Sequence, residues 1–332
     1  MQSPVQASML PTYLSGPKAI GVIALSSPSE AARLARGVSY LEAHGVEVKV
    51  GLEPCAAYGK TEFLFSSDSP KRRAQALVDF AKDPTIGAIL AARGAYGALE
   101  VLPELDFEIL KKFPKPLVGF SDTTALLVAL QERAGWPCFH GPSLESAFGK
   151  AFEGGDPKLS ADGLLSLLRG TGNPVHASAV RLLGSALAEG RVVSGSITGG
   201  NLSSVTSLVG TPFQPKLNGK LLFLEEISEK PYRIHRQLLQ MSIAGMFQGV
   251  HGVLLGDFSG CEHEKGLGPN LDDVLKDVFG ALGIPVFQGI RAGHVPLNLA
   301  VPFGVNVAIR RGNLGQGKAL ALQENDYKID FL

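Results

Sequence analysis

Residues 115–124 read Lys-Pro-Leu-Val-Gly-Phe-Ser-Asp-Thr-Thr. A short apolar run, Leu117-Val118, meets Gly119, and Ser121-Asp122 follow where an amphipathic pattern begins at Thr124, Leu126, Leu127, Leu130 and Arg133. The pattern predicts a strand, a sharp turn and a helix. A serine at such a turn is lifted above the sheet edge. N–H groups in the first helical turn lack internal partners and point at whatever that serine meets. One turn can thus supply a nucleophile and part of an oxyanion hole. An N-capping serine that merely ends a strand reads the same way, and position 123 is Thr where G-x-S-x-G has Gly. Ser121 needs a base and an orienting acid from elsewhere before it counts as catalytic.

Around this turn the first half alternates strand and helix. Strands are predicted at 19–25, 46–50 and 86–91, and helices at 31–43, 70–81 and within 107–113. Near-continuous apolar strands separated by helices predict a doubly wound, mostly parallel sheet covered on both faces. Ligands in such sheets sit at the carboxyl ends of the strands. Both Ser121 and the loop Arg93-Gly94-Ala95-Tyr96-Gly97 leave strands at that end. Breaker clusters at 154–157 and 170–174, around one helix at 161–169, mark 146–188 as a connection. The reading divides the chain into a disordered lead-in (1–16), an N-terminal α/β domain (17–145), the connection, and a mixed β/α C-terminal domain (189–332). In the last, strands are expected at 191–197, 220–225, 252–256, 286–290 and 299–309, with helices up to 209, at 231–246 and at 271–279.

Composition narrows the partners. Lys+Arg and Asp+Glu both number 31, so no net field is available to hold nucleic acid. The amino terminus has no signal-peptide pattern and no stretch is apolar enough for a membrane span. Three widely spaced cysteines do not make a disulfide framework. A cytoplasmic protein acting on a small substrate is expected, with no cofactor. Cys261-Glu262-His263-Glu264 looks like a metal cluster, but no second Cys or His pair completes tetrahedral zinc, so no metal is expected.

Strand-turn-helix serine hydrolases order their triads as nucleophile, acid, histidine. Among seven histidines, His140 could line the site but precedes every plausible acid, and His235 reads as part of a solvated helix face. His294 lies in Arg291-Ala-Gly-His-Val-Pro, a Gly-flanked loop that can hold an imidazole rigidly at a cleft. The acid is sought in Lys220-Leu-Leu-Phe-Leu-Glu225-Glu226, since a carboxylate ending a buried strand is costly without a partner. Alternation favours Glu225 inward and Glu226 outward, but the opposite phase stays open.

Three separated segments together resemble the LD-carboxypeptidase family of serine peptidases. They are Arg93–Gly97 through Ser121-Asp122 to His140-Gly-Pro142; Gly199-Gly-Asn201, Glu225-Glu226 and Pro231-Tyr-Arg-Ile-His-Arg236; and Gly293-His294 with Val301-Pro-Phe-Gly304. The resemblance implies Ser121 as nucleophile, Glu225 as acid and His294 as base, in a cleft between two domains of a homodimer. It implies a murein tetrapeptide as substrate, losing its terminal D-alanine. The backbone N–H groups of Asp122 and of the Gly94–Ala95 turn are the expected oxyanion donors, and Arg93 is one candidate for binding the substrate carboxylate. Two departures stand out: Ala95 replaces a common Gly, restricting φ, and Glu226 replaces a common Asp. Other readings are a peptidase of the same family that detoxifies microcin-like peptidyl nucleotides, and a non-catalytic binding protein on a doubly wound fold.

Overall fold

The computed structural model describes residues 12–16, 18–52, 55, 65–172, 180–183, 187–188, 190–263, 268–311 and 326–332. Five parallel strands form the first sheet: β1 (Ala19–Ile23), β2 (Val48–Gly51), β3 (Ile86–Ala91), β4 (Leu117–Gly119) and β5 (Cys138–His140), in the order β5-β4-β3-β1-β2. All five residues of β1 are buried, as both faces of a parallel sheet require. Helix α1 (Ala31–Ala43) contributes to the core on one face. Helices α2 (Pro70–Lys82), α3 (Ala98–Val101), α4 (Phe107–Leu110) and α5 (Thr124–Ala134) build the other. Ser69 caps α2 and Pro70 occupies its first turn, where a missing N–H costs nothing.

Helix α5 departs from the expected amphipathic pattern. Thr124 through Leu130 are all buried, because the barrel packs on its outer side. There β6 (Val180–Leu183), β7 (Val193–Asn201), β8 (Lys220–Ile227), β9 (Gly252–Ser259), β10 (Val286–Gln288), β12 (Asn306–Arg311) and β13 (Asp326–Phe331) close in the order β10-β6-β13-β12-β7-β8-β9. Helices α7 (Leu202–Ser207), α8 (Pro231–Ile243) and α9 (Leu271–Ala281) flank it.

Three expectations need correction. The single strand foreseen at 299–309 is two, interrupted by Gly304 at φ 79°. Its first part, β11 (Val301–Phe303), pairs antiparallel with β5 in the first sheet, although it lies in the stretch assigned to the second domain. Helix α6 (Gly155–Leu168) begins six residues before its predicted start at 161, because Pro157 falls in the first turn, where a proline is tolerated. Of the lead-in, residues 1–11 lie outside the described set. Tyr13 and Leu14 do not trail free: their N–H groups donate to the Leu168 carbonyl at 2.9 and 3.0 Å, and the Tyr13 ring packs edge-on against Phe139.

Candidate active site

Ser121 opens a 3-10 turn (Ser121–Thr123) between β4 and α5, and its φ of 60° is the strained left-handed geometry that lifts a side chain off a sheet edge. The barrel holds this turn in place. Ser204 Oγ of α7 donates to the Ser121 carbonyl at 3.3 Å, and the Asn201 N–H donates to Thr124 Oγ1 at 3.1 Å.

Glu225 and His294 meet beside it. His294 Nδ1 lies 2.8 Å from Glu225 Oε2, the carboxylate being fully buried and the imidazole partly open. Gly293 allows the contact. It adopts φ 125°, and a Cβ there would stand 2.7 Å from that same oxygen. The histidine loop is braced from outside: the Gly293 N–H donates to Asn298 Oδ1, and the Asn298 N–H donates to Ser160 Oγ of α6. The 146–188 segment is therefore part of the site's scaffold. Burial pushes the Glu225 carboxyl above its ordinary range, opposed by the bond to His294.

Glu226 does not turn outward as alternation favoured. A register shift between Leu224 and Glu226 swings it inward. Its Oε1 accepts from Asn201 Nδ2 and the Ile227 N–H, its Oε2 from the Ser203 N–H and Oγ. Four donors fix this carboxylate at the start of α7. Glu226→Gln would place an amide N–H₂ against some of those donors and should lower unfolding free energy by about 1–3 kcal/mol. Denaturant titration measures that loss, and turnover per folded molecule should stay within a few-fold. A crippled but stable variant would make Glu226 the orienting acid instead.

The loop Arg93–Gly97 stands over Ser121. A Cβ on Gly94 would sit 2.9 Å from Ser121 Cβ and 3.3 Å from its Oγ. Ala95 takes up φ 84° despite its methyl group. Tethers hold that strained shape. The Ser27 N–H donates to the Gly94 carbonyl at 3.3 Å, which turns the Ala95 N–H of the same planar peptide away from Ser27. Asp122 Oδ2 accepts from the Ala98 N–H at 2.7 Å, and the fully buried Arg73 donates to the carbonyls of Gly97, Leu25 and Asp68. Burial pushes the Asp122 carboxyl up, against the bond from Ala98 and the charge of Arg73.

Ser121 and His294 line one cleft of about 280 Å³, with Gly94 and Ala95 on its wall. Arg33, Arg93 and Lys150 also line it against a single carboxylate, Glu145. Arg93 Nη1 donates to the Pro28 carbonyl at 3.2 Å and Arg33 pairs with Glu30 at 3.0 Å. Lys150 has neither kind of tether among the described residues. Arg33 and Lys150 lie in segments whose sequence gives no local cue to a site. His140, which the sequence already offered as a residue that could line the site, is buried against Glu225, with Nε2 3.9 Å from Oε1. It precedes the acid in the chain, yet it ends a parallel strand beside β4, where Gly119 pairs with it. Away from the cleft, His263 stacks on Tyr232, and Glu264 of the metal-like cluster lies outside the described residues. Among the described residues no helix is long and apolar enough to cross a membrane.

Residues 20–141 match the family model described as the LD-carboxypeptidase N-terminal domain, and residues 194–309 match the LD-carboxypeptidase C-terminal domain. The chain is 34% identical over 302 residues to the probable murein peptide carboxypeptidase of Bacillus subtilis, covering 90% of this chain and 91% of that protein. It is 27% identical over 326 residues to the microcin C7 self-immunity protein MccF of Escherichia coli, covering 87% and 90%. Among solved structures, it resembles the muramoyltetrapeptide carboxypeptidase from Oxalobacter formigenes with a TM-score of 0.76 at 25% identity, over 95% of this chain and 98% of that one. With a strand-turn-helix serine, a histidine held on a buried glutamate and matches of this extent, the chain belongs to the LD-carboxypeptidase family.

Proposed function

We propose that this protein is a serine LD-carboxypeptidase that releases the terminal D-alanine of murein tetrapeptides. The observation that carries the reading is the 2.8 Å contact of buried Glu225 Oε2 with Nδ1 of His294, which lines the same cleft as Ser121. A carboxylate on Nδ1 keeps the proton there and leaves Nε2 as the base for the serine hydroxyl. Ser121 Oγ then attacks the carbonyl of the L-configured centre while His294 takes its proton. Charge on the resulting oxyanion is met by the N–H groups of Asp122 and of the Gly94–Ala95 turn. Collapse expels D-alanine, protonated by His294, and water hydrolyses the acyl-enzyme by the same route in reverse. The excess of cations around the cleft suits a substrate bearing carboxylates, and Lys150 joins Arg93 as a candidate to hold the terminal one. A cytoplasmic homodimer belongs to the same proposal.

The test compares three peptides: L-Ala–D-Glu–diamino acid–D-Ala, its C-terminal amide, and the all-L isomer. Inverting the leaving residue misplaces its methyl group, and amidation removes the charge opposite the cations. Each change should cost about 1–3 kcal/mol of transition-state binding, roughly 5- to 150-fold in kcat/KM. Comparable rates on the all-L peptide would remove the LD specificity and leave a serine peptidase. Cleavage of a peptidyl nucleotide in place of the tetrapeptide would move the protein to the microcin-immunity side of its family.

A further inference from the structure

His140 is fully buried at the end of β5, ringed by Phe120, Phe223 and Phe303 with centroids 6.1, 5.0 and 6.3 Å away. Among the described residues, neither of its ring nitrogens has a hydrogen-bond partner, and neither does Glu225 Oε1. These orphaned groups face one another: His140 Nε2 stands 3.9 Å from Oε1, while Oε2 of the same carboxylate is held by His294. Buried polar atoms are seldom left unsatisfied, and those that are call for an explanation. A histidine in an aromatic cage could be replaced by Phe with no polar cost, so packing alone does not account for it.

The backbone holds the ring in place. β11 pairs Val301 with His140, β4 pairs Gly119 with it, and a Cβ on Gly200 of β7 would come within 3.2 Å of its Nδ1. The titratable groups facing it are Glu225 from β8 and His294 from the loop before β11. α5 presents Thr124 and β11 presents Phe303, neither of which titrates, and Glu226 directs both its oxygens to other donors. Burial, reinforced by nearby His294, pushes the His140 imidazole down to about 3, so it is neutral at physiological pH. A neutral ring carries one N–H, and the carboxylate favours it on Nε2.

We infer that His140 is a positioning residue, a neutral N–H dipole fixed behind Glu225 that keeps the carboxylate ionised and turned toward His294. At 3.9 Å the contact is longer than a hydrogen bond. It acts as a dipole against a charge where little solvent screens it. The inference rests on Glu225 being the orienting acid.

His140→Phe keeps a ring among three aromatic neighbours and removes the dipole, whereas His140→Gln restores an N–H donor. On the tetrapeptide, His140→Phe should lose about tenfold in kcat with KM nearly unchanged, and the acid limb of kcat/KM should rise by about one pH unit. A carboxyl stripped of its dipole binds its proton more tightly, which sets that sign. His140→Gln should recover most of both. A second readout needs no substrate: histidine labelled with ¹³C, titrated by NMR, should show an altered apparent pKa for His294 in His140→Phe and not in His140→Gln. An unmoved His294 titration, or equal losses in both variants with the acid limb in place, would reduce His140 to packing. Failure of the wild-type protein to release D-alanine would defeat the substrate reading alone, leaving the NMR comparison to decide this one.

Discussion

Ser121→Ala and His294→Ala are each expected to lower turnover by about 10⁴- to 10⁶-fold, and the double variant should be little worse than either. The reason is that in the proposed mechanism the two side chains perform one step. Without the hydroxyl there is no proton for His294 to accept, and without the imidazole the hydroxyl stays a poor nucleophile. Glu225→Gln should fall between wild type and these, losing about 10³- to 10⁴-fold, since an amide can hold the ring but not stabilise imidazolium. Its fold should survive intact, because the substitution takes a costly charge out of a fully buried position. D-Alanine release from the tetrapeptide, alongside thermal melting, measures both. Additive losses in the double variant would mean that Ser121 and His294 act in separate steps and would break the triad assignment.

Gly94→Ala carries the next largest expected effect, a drop of about 10²- to 10³-fold in kcat, comparable to removing one oxyanion donor. Its new methyl would meet Ser121 Cβ at 2.9 Å, closer than unbonded carbons settle, and press on the Phe120 carbonyl oxygen at 3.2 Å. The loop cannot yield cheaply, because Ser27, Arg73 and Asp122 tie it down on its far side. The nucleophile would be the part that moves. Ala95→Gly is the matching control: it should relax the φ of 84° and leave kcat unchanged or slightly higher. Wild-type turnover in Gly94→Ala would show that the loop does not bear on the reacting carbonyl.

The parallel sheet and the serine turn were legible in the sequence because their signals are local. Leu117 to Thr124 states strand, turn and helix within ten residues, and Gly293 marks a loop that can hold an imidazole at a cleft. What escaped depends on contacts across the chain. Alternation along β8 could not choose between Glu225 and Glu226, because the register slips between Leu224 and Glu226 and both carboxylates end up buried. The Gly154–Pro157 cluster reads as a breaker, yet Pro157 sits in a helical first turn. Strand β13 does carry a period-two signal, with Tyr327 and Ile329 buried and Lys328 and Asp330 exposed, but it is short and follows a polar stretch. His140 precedes the acid in sequence and sits against it in space, which no reading of triad order could foresee.

The crossing of β11 into the first sheet bears on how the protein is made. The two halves matched by separate family models are not separable modules, since β5 gains its outer neighbour only when residues 301–303 return to it. A ribosome delivers Ser121 and its turn long before it delivers the histidine. The loop bearing His294 is stretched between β10 in the barrel and β11 in the first sheet, so it has no fixed place until both have folded. Until then the edge of β5 stands open, where unpaired backbone groups invite other chains. When β11 docks, one event closes that edge and completes the Glu–His pair. With Ser121, Glu225 and His294 as the proposed triad, hydrolytic competence would arrive together with protection from aggregation.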